Sequence, residues 1–293
     1  MSPALISDPI PALQSLGYTD REAAFLYLVA VHSGYFVRRQ FDYFIDRNKG
    51  SIVVNFLKKA TAAGHIEAFD YKQGWRVYHL CSRSIYRLAD DPESQLRRRK
   101  GDTQIRVRLM ALDYVLENEN DHYLASEADR CRFFEHVRRI SPGHFTDSHG
   151  NLHHLLCTFP IALTDRERPT QSLVRLAFLD EGLFSIGKFV RFLGEADSLL
   201  RALGSFEMIY VALSNFNFQA ARDAFRSRFF RASSRHARLF EDDVRPRSLD
   251  HRPPLQVHLT TLLFAHSYPT ILRSEARGSG RVRAVEHGES SSE

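Results

Sequence analysis

The chain has 293 residues, 43% of them hydrophobic and 26% charged, enough for two domains or one large one and ordinary for a globular protein. A mean hydropathy of -0.32 with no long uncharged apolar run excludes a membrane helix from the expected fold, and Asp8, Asp20, Arg21 and Glu22 near the start speak against a secretory leader. Cys81, Cys131 and Cys157 lie too far apart for a disulfide framework, so a cytoplasmic protein is expected, and the net charge of +5 permits nucleic-acid binding without demanding it.

In chain order, the first dense signals begin at Thr19-Asp20-Arg21-Glu22, which has the form of a capping box and is followed by apolar Ala23, Phe25, Leu26, Leu28 and Val29. A helix is predicted from there to the break at His32-Ser33-Gly34. A second, short helix fits Val37 to Ile45, with Phe41, Phe44 and Ile45 on one side, and stops at Arg47-Asn48-Lys49-Gly50. Ser51 is placed to N-cap a third helix, whose Val53, Val54, Phe56, Leu57 and Ala60 recur at helical spacing until Ala63-Gly64, where glycine supplies a left-handed C-cap. Ile66 to Tyr71, a turn at Lys72-Gln73-Gly74 and Arg76 to Leu80 read as a hairpin. Three helices and a hairpin predict a winged helix-turn-helix over residues 13–92.

Asp102 to Glu117 predicts a connecting helix within residues 93–124. Its stripe of Ile105, Leu109, Leu112 and Leu116 suits either a homodimer contact or packing on the domain that follows. Ser126 opens a further helix through Ile140, closed by Ser141-Pro142-Gly143. Strands at Leu152 to Leu163 and Ser172 to Asp180, a long helix Ser185 to Leu203, a strand Phe206 to Leu213 and a helix Gln219 to Phe230 then describe an α/β domain over residues 125–245. Residues 246–293 form a C-terminal extension, expected to be disordered from about 274, where Gly, Ser, Glu and Arg dominate. The fold class expected is therefore α+β.

Local charge points to the third helix. Residues 38 to 59 carry Arg38, Arg39, Arg47, Lys49, Lys58 and Lys59 against Asp42 and Asp46. A winged helix lays its third helix in the major groove, so Ser51, Asn55 and Lys59 are candidates for base contact: asparagine can pair with adenine and lysine with guanine. Arg38, Arg39, Lys49, Lys58, Lys72 and Arg76 would hold the phosphate backbone, and the expected partner is double-stranded DNA. The alternative is a solvated helix face or a protein contact. A second basic stretch places Arg222, Arg226, Arg228, Arg231, Arg235 and Arg238 around Phe225, Phe229 and Phe230, either a second phosphate surface or a solvated face. Arginine's excess over lysine throughout the chain can reflect a GC-rich genome, so arginine number alone is no sign of phosphate recognition.

The stretch from Leu16-Gly17-Tyr18-Thr19 through Ala63-Gly64-His65-Ile66 to Arg76-Val77-Tyr78-His79-Leu80 resembles the winged-helix domain of the plasmid replication-relaxation family of bacterial plasmids and conjugative elements. The resemblance implies a role in plasmid DNA transactions. It also implies that the following domain looks like a degenerate PD-(D/E)xK nuclease fold, with Phe159-Pro160-Ile161, Leu176 to Glu181 and the helix from Lys188 to Leu203 as its strands and helix.

An active nuclease of that type needs carboxylates for Mg²⁺ and an acid-x-Lys on adjacent strands. Asp180 and Glu181 sit at a strand end, but Lys188 follows seven residues later in a predicted helix, and Asp70-Tyr71-Lys72 lies in the hairpin. The second domain is thus expected to be catalytically silent, a scaffold for a protein partner or DNA. An active metal-dependent nuclease and a winged-helix transcriptional repressor remain as alternatives. His144, His149, His153, His154 and Cys157 have no known metal-finger spacing, and adjacent His153 and His154 would point to opposite faces of a strand, so no metal is expected. Cys131 reads as a core thiol; without a Walker loop or a dinucleotide fingerprint no cofactor is expected.

Overall fold

The computed structural model describes residues 9–45, 51–71, 75–147, 149–150, 152–165, 167–182, 186–229 and 256–261. It is an α+β protein whose chain divides into two compact units, with the boundary between Asp129 and Arg130.

The first unit begins with α1 (Pro9–Gln14) and α2 (Asp20–His32). The capping box forms as expected: Thr19 N–H donates to Glu22 Oε2 at 2.8 Å and Glu22 N–H to Thr19 Oγ1 at 3.4 Å. Gly34, at φ 75°, turns the chain into β1 (Tyr35–Val37), a three-residue strand that the sequence reading left inside the turn and the next helix. Three residues cannot display a period of two, and β1 exists through its partner, pairing Tyr35 with His79 and Val37 with Val77. α3 (Arg38–Phe44) and α4 (Ser51–Ala62) follow. Ser51 is the first helical residue of α4 rather than the cap before it. At the other end His65 N–H reaches Ala60 O (2.9 Å) and Gly64 N–H reaches Thr61 O (3.0 Å), the paired bonds of a Schellman motif around left-handed Gly64. β2 (Ile66–Tyr71) and β3 (Trp75–Leu80) form the antiparallel hairpin, and β3 lies centrally in the order β1-β3-β2. Its turn, with Lys72, lies outside the described residues.

Phe25 of α2 is the hub of the core. Its ring meets Phe36 of β1, Phe41 and Phe44 of α3 and Phe56 of α4 at centroid distances of 4.9–6.1 Å. Phe25, Phe36, Phe41 and Phe56 are wholly buried, so each truncation to alanine would remove about 3–5 kcal/mol. After α5 (Arg83–Leu88), α6 (Asp102–Glu117) has the predicted bounds but packs on α2, α3 and β1. Leu112 and Leu116 join the Phe25 core, and Ile105 and Leu109 are buried as well. Half of the stripe expected to serve a homodimer or the following domain, Leu112 and Leu116, thus packs within the first unit. A two-residue strand β4 (His122–Tyr123) follows, and α7 (Glu127–Arg132) spans the boundary.

From the end of the first unit into the second, the helical path predicted from Ser126 to Ile140 is interrupted. Ser126 caps α7 reciprocally with Asp129, a π-turn covers Phe133–Val137, and Arg139 at φ 54° ends the run. The strand predicted over Leu152 to Leu163 is shorter. Residues His154–Thr158 form α8, and only Ile161–Leu163 pair as β5, because Pro160 has no N–H for a ladder. β6 (Val174–Asp180), α9 (Gly187–Leu203), β7 (Phe206–Ala212) and α10 (Phe218–Phe229) fall close to their predicted places. β6 pairs antiparallel with β5 and parallel with β7. β7 is buried along its whole length, the mark of a parallel strand covered on both faces, and α9 turns Phe189, Phe192, Leu193, Ala196, Leu199 and Leu200 inward. β8 (Gln256–Thr261) adds in parallel to β7. It lies in the stretch read as an extension beyond the α/β domain; the rest of that stretch, including the tail from 274, is outside the described residues.

Two glycines separate conformational strain from steric contact. A Cβ on Gly34 would meet the Leu96 carbonyl oxygen at 2.5 Å, whereas one on Gly64 would meet nothing within 4 Å, and both have positive φ. Gly64→Ala is therefore expected to cost about 1–2 kcal/mol, and Gly34→Ala distinctly more, as measured by equilibrium denaturation of the two variants side by side.

Candidate nucleic-acid interface

α4 is held from below by Val53, Phe56 and Ala60 and presents Ser51, Ile52, Asn55 and Lys58 to solvent. Positions 51, 55 and 58 follow the helical repeat, so these side chains share one face. Ile52, 40% exposed beside Asn55, adds an apolar group that can meet a thymine methyl. The sequence reading did not single it out.

Lys59 lies apart from that face. Its Nζ forms an ion pair with Glu22, donates to Gly17 O at 3.0 Å and stands 4.9 Å from the centre of the Tyr18 ring. Glu22 is buried and also carries half of the capping box, so Lys59 ties α4 to the first turn of α2. Tyr18 extends this node. Burial, then the Glu22 charge, push its phenol up to about 12, and its hydroxyl lies 2.7 Å from His65 Nδ1, an imidazole whose burial favours the neutral form.

Arg39 is also drawn inward. It pairs with Asp113 of α6 at 2.6 Å, and Gln40 Nε2 donates to the other oxygen of the same carboxylate at 2.9 Å. Gln40 is wholly buried and also donates to Leu109 O, which fixes α3 against α6. Its neighbour Arg38 stays outside, 3.6 Å from Asp42, and Arg76 on β3 lies 3.5 Å from Asp70. Both are surface pairs of about 0–1 kcal/mol that a phosphate can replace. Burial raises the Tyr78 phenol, against the opposing positive charges of Arg76 and Arg38. Lys49 and Lys72 lie outside the described residues.

One basic feature escaped the sequence reading: Arg97-Arg98-Arg99-Lys100, the longest run of one charge in the chain. An unbroken run of cations is itself the signal, overlooked because it falls between the hairpin and α6.

The second unit has its own polar cluster. Asp180, at the carboxyl end of β6, accepts from the Tyr210 hydroxyl, from Asn217 Nδ2 at 3.2 Å and from Gly182 N–H at 2.9 Å. Burial first, then the bond to Asp180, raise the Tyr210 phenol far above its ordinary range. Glu181, 2% exposed, is neutralised by Lys188 of α9, so a lysine seven residues distant in sequence lies beside the acid in space. His153 precedes α8 and His154 opens it, which replaces the strand alternation expected of them. His144 Nδ1 bonds Ser198 Oγ at 2.6 Å, and among the described residues no three His, Cys, Asp or Glu side chains are grouped to hold a metal. Cys131 is half-buried rather than a core thiol. On α10 Phe225 is buried, Arg226 is exposed and Arg228 pairs with Asp197 at 2.8 Å; Arg231, Arg235 and Arg238 lie outside the described residues. Among the described residues no helix is long and apolar enough to cross a membrane.

No protein-family model matches the chain, and no curated protein or solved structure is significantly similar to it.

Lys58 and Lys59 are adjacent, and their surroundings call for opposite outcomes. Lys58→Ala is expected to leave stability within about 0.5 kcal/mol and to make the log–log salt dependence of duplex binding shallower by about 0.9. Lys59→Ala strips a buried carboxylate of its partner and is expected to cost about 1–3 kcal/mol of stability. Urea unfolding and anisotropy titrations on both variants compare the two effects directly.

Proposed function

We propose that the chain is a DNA-binding protein whose first unit is a winged helix-turn-helix, with α4 as the reading helix and the β2–β3 hairpin as the wing. The observation that carries this reading is the exposed face of Ser51, Ile52, Asn55 and Lys58 on a helix whose opposite face is locked into the Phe25 core. A rigid helix with a free polar face is what major-groove recognition requires. Asn55 reads a base edge, Ile52 meets a methyl group, and Arg38, Lys58 and Arg76 hold phosphates. Lys49 and Lys72 remain backbone contacts in this reading, while Arg39 and Lys59 serve the fold. The likeness of Leu16–Leu80 to the replication-relaxation family directs the proposal to a plasmid or conjugative element, where the protein would act in replication-relaxation or its regulation in the cytoplasm; a transcriptional repressor would use the same contacts at a promoter.

For the second unit we propose a nuclease-derived scaffold without catalysis, open to a protein partner or to DNA. Asp180 is engaged by three donors and Glu181 by Lys188, so a divalent ion would have to displace bonds already made. The competing nuclease reading rests on the proximity of that acid and lysine at a strand end.

Asn55→Ala is expected to cost about 1–3 kcal/mol at one base position and to relax preference there, as measured by binding to a library of randomised duplexes. Equal loss over all sequences would assign Asn55 to the backbone and remove α4 as the reader. Supercoiled plasmid incubated with the protein and Mg²⁺ or Mn²⁺ should stay intact; cleavage abolished by Asp180→Ala would establish the nuclease instead.

A further inference from the structure

The segment between the hairpin and α6 is built as a rigid cationic strap. Gln95–Arg97 form a 3-10 turn and Arg98 is extended, with φ -83° and ψ 140°. Its backbone is fastened to one face of the three-stranded sheet at successive points. His79 Nε2 lies 3.3 Å from Leu96 O, Lys100 N–H donates to the Tyr35 hydroxyl at 2.8 Å, and that hydroxyl donates to Arg98 O at 3.4 Å. The two anchoring rings are stacked on each other at 4.4 Å and 11°. Gly34 lets the strap approach, since any Cβ there would collide with Leu96 O. His79 is 3% exposed, and its burial favours the neutral imidazole, which suits a ring donating to a carbonyl.

The anchors hold the backbone and leave the two middle charges outside, with Arg97 and Lys100 half-buried beside them. Arg98 and Arg99 are exposed, and the Arg99 guanidinium stands 5.0 Å over the Phe69 ring of β2. Among the described residues none of Arg97, Arg98, Arg99 and Lys100 is in an ion pair, whereas Arg38, Arg39, Arg76 and Arg83 each face a carboxylate. Partial burial, and after it the positive charges of Arg108 and Arg98, lower the affinity of Lys100 for a proton. The acid that bears on the same face is Glu67 of β2, in register with His79. Phe69 is paired with Val77, and Asp70 with Arg76. Strand alternation therefore puts the strap on one face of the hairpin and Arg76 on the other.

Like charges fixed on a rigid backbone repel one another, and the repulsion is relieved when an ordered row of anions displaces their counterions. We propose that the Arg97–Lys100 strap is a second contact for the DNA phosphate backbone, on the face of the three-stranded sheet opposite the one that packs on α4. The proposal rests on the first unit's being a duplex-DNA binder. The strap supplies affinity without sequence preference, because the partners it offers are cations for phosphates and not donors placed for base edges.

The test is a salt series of full-length protein binding to duplex, comparing wild type, Arg98→Gln with Arg99→Gln, and Arg98→Lys with Arg99→Lys. The glutamine pair is expected to make the log–log slope shallower by about 1.8, two contacts' worth, with base preference unchanged. The lysine pair is expected to keep the wild-type slope, since it keeps the charge. A glutamine pair with wild-type slope and affinity would overturn the strap contact while leaving Asn55's effect on preference in place. A lysine pair as defective as the glutamine pair would assign the arginines to folding. Wild-type protein without duplex affinity at low salt would overturn the DNA reading and the strap together.

Discussion

Two buried carboxylates, Glu22 and Asp113, decide which cations the first unit can present. A carboxylate taken out of water without a partner costs several kcal/mol, so each needs compensating donors, and here each takes a cation. Glu22 takes Lys59 and Asp113 takes Arg39. Both recruits come from adjacent basic pairs, Arg38-Arg39 and Lys58-Lys59, and neighbours on a helix diverge by about 100°. One member of each pair turns inward to its carboxylate; Arg38 and Lys58 remain outside. The same two ion pairs fasten α4 to α2 and α3 to α6. The surface left for an anionic ligand and the stiffness of the scaffold behind it thus have a single electrostatic origin.

Elements specified by local chemistry were legible in the sequence. The Thr19 box needs only the backbone N–H groups of its own first turn, and Gly64 needs only carbonyls one turn back; both ends fell where expected. The bounds of α6 were equally clear. What α6 packs against was not, because an apolar stripe says that a face is covered and says nothing of what covers it. β1 and β8 show the same limit from the other side. A three-residue strand has no pattern of its own, and Gln256–Thr261 alternates well enough but owes its place to β7, more than forty residues earlier. α8 was misassigned because a short apolar run fits both periods, and Pro160 decided against the strand.

The candidate interface was legible as a region and not residue by residue. Composition located the basic stretch from Arg38 to Lys59, and helical spacing placed Ser51 and Asn55 on one face. Which lysine joined them depended on Glu22, thirty-seven residues away from Lys59, whose capping role was recognised while its second partner was not. The strap was missed for the opposite reason. Arg97–Lys100 is conspicuous as charge but carries no pattern of secondary structure, and only Tyr35, His79 and Gly34 make it a fixed surface rather than a loop. A charge run becomes a site when something rigid holds it.

The second unit applies the same electrostatic rule to a different end. Glu181 and Glu207 are buried and paired with Lys188 and Arg175, and Asp180 is met by hydroxyl, amide and backbone donors. Beyond the carboxyl ends of parallel strands an open α/β sheet offers its usual crevice for a ligand. Here the carboxylate at that end of β6 already holds three hydrogen bonds supplied by the chain. A metal-binding acid keeps its oxygens available for the ion and its waters, whereas Asp180 spends them on Tyr210 of β7, Asn217 ahead of α10 and the Gly182 turn. Its charge therefore joins β6, β7 and the start of α10 at the carboxyl ends of the two strands, where their backbone ladders run out.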